Sequence, residues 1–234
     1  MTARALDRPV WSSLATRHAR FAIGGDRARR FAPDVGPLAG TRDDEPDSLA
    51  ALAELAVDGA LLLLQADAIR LPPSLSATSS AAGVQLVLDT LVDVEPDPRI
   101  VRLGAEDAPA MVALAELTKP GPFAPRTHEL GEFCGVKEGG RLIAMAGERL
   151  SQPGFIEVSG VCTHPDARGR GLARSLSAHV VRGIVSRGAT PYLHAYATNT
   201  VAIQLYEALG FRLRCAMHVA VVARVTARAM TLQG

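Results

Sequence analysis

Lysine is nearly missing from this chain. Only Lys119 and Lys137 stand among 25 basic residues in 234, and the formal net charge is +1. With so balanced a charge and no run of one sign, a basic nucleic-acid-binding arm is excluded. Arginine in place of lysine, beside abundant alanine, matches a GC-rich bacterial coding sequence rather than a guanidinium-specific role. Aromatic residues make up 4 %, too few for a base-stacking platform, so no nucleic acid is expected as a partner. Cys134, Cys162 and Cys215 lie far apart, without a CxxC and without His/Cys pairs at metal spacing. That excludes a disulfide framework, points to no metal, and reads as reduced, mostly buried thiols in a cytoplasmic protein. The longest apolar run, "GALLLLQA" around Leu61 to Leu64, is far too short to cross a bilayer, so no membrane partner is expected. The N-terminus has no apolar h-region and reads as an ordered or fraying surface segment, with an arginine-bearing transit peptide the less favoured alternative.

What is present is ample apolar content, 48 %, in two visible halves. Residues 1–92 form an α/β region of unassigned role. It holds a helical "PDSLAALAELA" opened by Asp47, the strand-like "GALLLLQAD", and "GVQLVLDTLV" after a Ser/Ala/Gly-rich loop. Residues 93–98, acidic with two prolines, read as a linker. Residues 99–234 then alternate strands and helices. One helix carries Met111, Leu114 and Leu117; another carries Leu172, Leu176, Val180 and Ile184 every fourth residue, with Gly188 placed to close it. This alternation predicts an α/β layering of sheet and helices. "SLAALAELA" also echoes "AMVALAELT", which leaves coincidence and a diverged duplication both open.

The most informative stretch is "GVCTHPDARGRGLARSL", Gly160 to Leu176, where Arg168-Gly169-Arg170-Gly171 lies between a strand and a helix. A helix N-terminus exposes unpaired N–H groups, glycines let an anion reach the backbone, and arginines add charged donors. The turn suits a phosphate or diphosphate; a plain turn with solvated arginines is the bland alternative. A Walker A loop fails, because Leu172-Ala173 stands where Lys-Ser/Thr is needed. A dinucleotide fingerprint fails at Arg174, where glycine or alanine is required.

Arg168-x-x-Gly171-x-Ala173, after a strand ending "Val-Cys-Thr-His-Pro", resembles the acetyl-CoA-binding signature Q/R-x-x-G-x-G/A of the GNAT superfamily of N-acetyltransferases. Downstream, "NTVAIQLYEALGF" resembles the family's second hallmark, an asparagine opening a helix that carries A-x-x-x-Y-x-x-x-G-F. The resemblance covers about residues 99–225 and implies a GNAT-like acyltransferase fold: a mixed, mostly antiparallel central sheet flanked by helices. The N-terminal α/β extension would then be either a degenerate half-copy of it, part of the acceptor site, or a homodimer surface. The implied reaction is acetyl transfer from acetyl-CoA, as cosubstrate, to a small-molecule or peptide amine by direct attack on the thioester. The rival is a non-catalytic acyl-CoA-binding module that senses the cofactor.

The resemblance also implies roles. Backbone groups of Val161, Cys162 and Thr163 would meet the pantetheine arm, and Arg168, Gly169, Arg170, Gly171, Leu172, Ala173 and Arg174 the diphosphate. Asn199 would cap its helix and touch the cofactor, and Tyr206 would donate to the departing sulfur. Helical spacing puts Asn199, Ala202 and Tyr206 on one face and Val201, Leu205 and Leu209 on the sheet-facing one. Two residues compete as base. Glu157 shares a strand face with Ser159, Val161 and Thr163 by period two, and His194 a face with Tyr192 and Tyr196. Each has a bland reading: Glu157 as an arginine's partner, His194 as a bonded core residue; a water chain without a single base is the third option. His164 is expected to shape its turn and His179 to pack. By position in the family, the proline-rich loop from Thr118 to Phe133 borders the acceptor pocket, with Thr127, His128, Glu129 or Glu132 as guesses for amine contacts.

Overall fold

The computed structural model describes residues 3–57 and 59–225, which fall into two compact units. Unit 1 takes the residues up to Ala32, Pro37–Gly83, and those from Ala216 on; unit 2 takes Pro33–Gly36 and Val84–Cys215. The boundaries thus lie away from the composition shift near residue 93, and the segment 89–99 has no regular structure within unit 2.

Unit 1 opens with helices α1 (Ala3–Asp7) and α2 (Pro9–Leu14). The expectation of a surface segment here is overturned: Leu6, Val10 and Leu14 are at most 2 % exposed. Their four-residue spacing is the apolar stripe of a helix, broken only by Pro9, which starts α2 without losing a bond. Strands β1 (Ala22–Gly24), β2 (Ala28–Phe31) and β3 (Leu38–Thr41) pair antiparallel in turn. Helix α3 (Pro46–Leu55) then leads to β4 (Leu61–Gln65), which runs parallel to β3. The cap of α3 is Glu45, not Asp47, which sits in its first turn.

Unit 2 repeats that order. After β6 (Ile100–Leu103) and α4 (Ala108–Thr118), strands β7 (Phe133–Glu138), β8 (Arg141–Gln152) and β9 (Phe155–Thr163) pair antiparallel. Helix α5 (Leu172–Ser186) leads to β10 (Thr190–Tyr196), parallel to β9, followed by α6 (Thr200–Glu207). On α5 the ridge Leu172, Leu176, Val180 and Ile184 is at most 6 % exposed, and Gly188 closes the helix at φ +72°. Each of those side chains contributes about 1.5–3 kcal/mol by leaving water. On α4, Ala115 is buried where Leu117 was expected, and Leu117 is 53 % exposed. His179, expected to pack, is exposed on α5.

Two long strands belong to both units. β5 (Leu75–Leu88) absorbs the Ser/Ala/Gly-rich stretch expected as a loop, and β11 (Phe211–Arg224) ends the described chain. In unit 1 the strand order is β1-β2-β3-β4-β11-β5; in unit 2 it is β11-β5-β10-β9-β8-β7-β6. The sheets are therefore mixed and mostly antiparallel, with helices flanking them, as the sequence predicts.

Residues 84–88 of β5 stand between β11 and β10 in unit 2, and Val35 and Asp34 bond to the loop at Thr127 and Arg126. A fragment of residues 99–234 lacks both. We expect it to show no cooperative thermal transition by circular dichroism, whereas the whole chain melts sharply; equal transitions would contradict this topology.

Candidate active site

The site begins where β9 and β10 stop pairing. Their parallel ladder joins Phe155–Glu157 to Thr190–Tyr192 and ends there, although β9 runs on to Thr163 and β10 to Tyr196. Glu157 is the last β9 residue of the ladder and is completely buried. Its carboxylate accepts from Arg149 Nε at 2.9 Å and Nη2 at 2.8 Å, from Leu150 N–H at 3.2 Å, and from His194 Nδ1 at 2.7 Å. Burial alone would raise the Glu157 pKa; the Arg149 charge and these hydrogen bonds overcome it and hold the carboxyl at about 2. Glu157 is thus engaged by an arginine, Arg149, that sequence reading did not name.

Beyond the ladder, β9 bulges. Its register against β8 shifts between Met145 and Gly147, and Gly160 adopts φ +63°. The period-two face assigned to Glu157, Ser159, Val161 and Thr163 is therefore broken. Val158 and Val161, three apart, both join the cluster around α5, while Cys162 packs with Met111, Phe133 and Met145. A glycine inside a strand pattern was the available signal. A methyl on Gly160 would come within 3.0 Å of the Phe133 ring.

The turn after β9 is shaped by His164, whose Nδ1 accepts the Asp166 N–H at 3.2 Å. Gly169 and Gly171 both adopt φ +74°, and a methyl on either would meet no atom within 4 Å. Gly171 is the N-cap of α5 and supplies no side-chain cap; the first helical bond runs from Ser175 N–H to Gly171 C=O. The N–H groups of Leu172, Ala173 and Arg174 thus have no intrahelical acceptor. The Leu172 side chain is buried in the core, so only its backbone faces this turn. Arg168, Arg170 and Arg174 are exposed, and Arg170 is paired with Glu138. Open glycine positions, orphan donors and arginines fit a diphosphate.

On α6, Asn199 is the N-cap, its Oδ1 accepting from Ala202 N–H at 3.2 Å. The face assignment is corrected: Val201 is 78 % exposed, and Tyr206, 8 % exposed, packs in the core with its ring 6.1 Å from that of Phe211. Burial, aided by the Glu157 charge, pushes the Tyr206 phenol up to about 12. The eight-residue helix is rotated so that Tyr206, not Val201, meets the sheet.

A small pocket beside Glu157 is lined by Pro122, Phe123, Thr127, Phe133, Arg149 and Gly160. A second hollow shares Pro122 and Phe123 and adds Glu116, Lys119 and Tyr196. The proline-rich loop borders both, but the guessed amine contacts are otherwise engaged. Thr127 donates to Val35 C=O at 2.7 Å, Glu129 pairs with Arg126, His128 meets Pro125 C=O, and Glu132 pairs with Arg187. Among the described residues no cluster of His, Cys, Asp or Glu is arranged to hold a metal ion, and no helix is long and apolar enough to cross a membrane.

Two strands that part inside a sheet forgo ladder hydrogen bonds, and an extended cosubstrate can complete them. With an anion-ready helix N-terminus following the same strand, the arrangement suits an extended cosubstrate that carries phosphates. Comparison with known proteins makes it specific. A family model described as FR47-like protein matches residues 133–220. A solved structure from Novosphingobium aromaticivorans, assigned as a GNAT-family acetyltransferase, is 43 % identical with a TM-score of 0.89, covering 94 % of this chain and 99 % of that one. A GCN5-related N-acetyltransferase from Kribbella flavida has the same fold at 17 % identity, with a TM-score of 0.61 and 98 % of each chain covered. The ribosomal protein bS18-alanine N-acetyltransferase of Escherichia coli is 42 % identical over 52 residues, 22 % of this chain. The match spans about a third of that curated relative's length, 35 %. The chain belongs to the GNAT family and is an acetyltransferase of it. The family implies acetyl-CoA as donor.

Replacing Glu157 by Gln leaves Arg149 buried without a counter-charge and should cost about 3–5 kcal/mol of stability. The wild-type carboxyl sits at about 2 against an ordinary 4.5, so its contribution is full above 4.5 and lost as pH falls toward 2. Urea midpoints followed from neutral pH down to about 3 should fall in the wild type and change less in Glu157→Gln.

Proposed function

We propose that the protein moves the acetyl group of acetyl-CoA onto a primary amine of a small-molecule or peptide acceptor, by direct attack on the thioester. In this reading residues 99–234 carry the transferase centre and residues 1–92 support it. The observation that carries it is the ladder ending at Glu157 and Tyr192 with the uncapped N-terminus of α5 nearby in sequence. Acetyl-CoA supplies the activated acyl carbon. The chain's part is to bind it, orient it and handle the proton.

Backbone amides of 172–174, with Gly169, Gly171 and the arginines 168, 170 and 174, receive the diphosphate. Arg170 exchanges its Glu138 partner for phosphate, a pairing of two exposed side chains that costs little to break. Val161, Cys162 and Thr163 offer the strand edge that β10 leaves unpaired to the pantetheine arm. The bulge at Gly160 frees backbone N–H near Val161 for donation to the acyl oxygen. Asn199 fixes the start of α6 and so the placement of Tyr206.

Direct attack suits the cysteines. Burial pushes the Cys134 and Cys162 thiols up to about 12 and about 11, so neither is a thiolate that would take the acetyl group first. Tyr206 keeps its proton: a phenol at about 12 is a weaker acid than an ordinary thiol near 8.5, so it hydrogen-bonds to the leaving sulfur without surrendering the proton. Of the two candidate bases we choose His194: the Glu157 carboxylate accepts four hydrogen bonds and is held at about 2, whereas Nε2 of His194 has one neutral partner to release, the Gln85 amide. His194 takes the amine proton, and Glu157 steadies the resulting imidazolium.

Thiol release from acetyl-CoA should depend on an added amine from a screened panel. Tyr206→Phe should lower kcat about 10- to 100-fold while CoA affinity is retained. Unchanged turnover removes the role given to Tyr206, and no CoA uptake by calorimetry removes the whole reading.

A further inference from the structure

His194 is held from both sides. Its Nδ1 lies 2.7 Å from Glu157 Oε1, and its Nε2 lies 2.9 Å from Gln85 Nε2. Gln85, fully buried, accepts at Oε1 from Arg214 Nη1 at 2.9 Å. The two ends of this chain of bonds fix every proton in it. A guanidinium can only donate, so the Gln85 oxygen must face Arg214 and its NH2 must face His194. An ionised carboxylate can only accept, so Glu157 must receive Nδ1–H. His194 is therefore neutral, with its proton on Nδ1 and the lone pair of Nε2 bonded to the Gln85 amide.

We propose that Gln85, a residue of the first half of the sequence, is a positioning residue that selects the tautomer of His194. The catalytic consequence rests on the reading of His194 as base; the tautomer does not. For Nε2 to take a proton from the acceptor amine, the Gln85 N–H must first leave its lone pair; the amine N–H bond then breaks and an Nε2–H bond forms. The new donor then faces the Gln85 NH2, so the amide turns to present Oε1 and releases Arg214. Proton uptake at Nε2 therefore breaks one guanidinium bond.

The charged and titratable groups around His194 come from every neighbouring element. Glu157 on β9 favours the imidazolium; Arg149 on β8 acts through Glu157, and Arg214 on β11 opposes a positive ring. On β10 itself Tyr192 meets the ring edge-on at 5.5 Å between centroids. From α6, Tyr206 lies in the field of Glu157.

The test is nitrogen NMR of the whole wild-type chain labelled in histidine, with the Gln85→Glu variant beside it. In wild type at neutral pH, His194 should be the Nδ1–H tautomer; an Nε2–H tautomer overturns the proposal without any variant having to fold. In Gln85→Glu the new carboxylate accepts where the amide donated, so His194 should carry a proton on Nε2 at neutral pH, and an unchanged Nδ1–H tautomer overturns it. With Nε2 already protonated, kcat/KM at neutral pH should fall about tenfold or more. If the ring gains that proton and kcat/KM does not fall, the positioning role of Gln85 stands and His194 loses the role of base.

Discussion

Everything in the second unit turns on the buried carboxylate of Glu157. Three residues of parallel ladder are too few to hold two strands at a fixed angle, and beyond Tyr192 the backbone gives β10 no further hold on β9. Side chains take over there. Glu157 binds β8 through Arg149 and the Leu150 N–H, and binds β10 through His194. Such a pair must offset the cost of removing charges from water, which it does only when nearly all its donors and acceptors are met. Four bonds to one carboxylate meet that condition. The same carboxylate thus ties the strands together across the gap, orients the imidazole beside it and adds to the burial that keeps the Tyr206 phenol protonated.

Features that a few neighbouring residues decide were legible in the sequence. The open backbone at Gly169 and Gly171, the N-cap at Asn199 and the four-residue ridge of α5 each follow from local geometry. What escaped reading depends on partners distant in sequence or on a break in periodicity. Arg149 and Glu157 are eight residues apart across an irregular β8–β9 pairing, and Gln85 meets His194 from 109 residues away. The bulge at Gly160 turned Val161 to the opposite face from the one its alternation gives. On α6 the period of 3.6 was correct, yet the choice of buried face went to aliphatic residues when the sheet took the tyrosine. Hydrophobicity ranked Val201 above Tyr206; a short helix near a chain reversal exposes one edge regardless of composition.

The repeated order of elements gives the faint echo between the halves a structural counterpart. In each unit three antiparallel strands are followed by a helix and a parallel strand, β1-β2-β3-α3-β4 and β7-β8-β9-α5-β10. In each, the strand beside the last one comes from the other half of the sequence: β11 beside β4, and β5 beside β10. Neither half of the sequence therefore completes its own sheet.

The two crossovers differ in how their helices begin. The connection into α5 carries two open glycines and two arginines, with a third, Arg174, in the first turn, and leaves its amides without a side-chain cap. The connection into α3 reads Arg42-Asp43-Asp44-Glu45-Pro46-Asp47. Asp43 accepts from Ser48 Oγ at 2.5 Å and from Glu45 N–H at 3.2 Å, and these bonds with Arg42 hold its carboxyl at about 2. Pro46 removes one N–H from the first turn, and the four carboxylates of this stretch include three paired with arginines, Asp43 with Arg42, Asp44 with Arg8 and Asp47 with Arg27. At α3 the acidic groups take up the local donors, an N–H included, whereas at α5 the first amides and the glycines beside them stay open. Two helices with the same topological place thus differ in what their starts leave available to an anion.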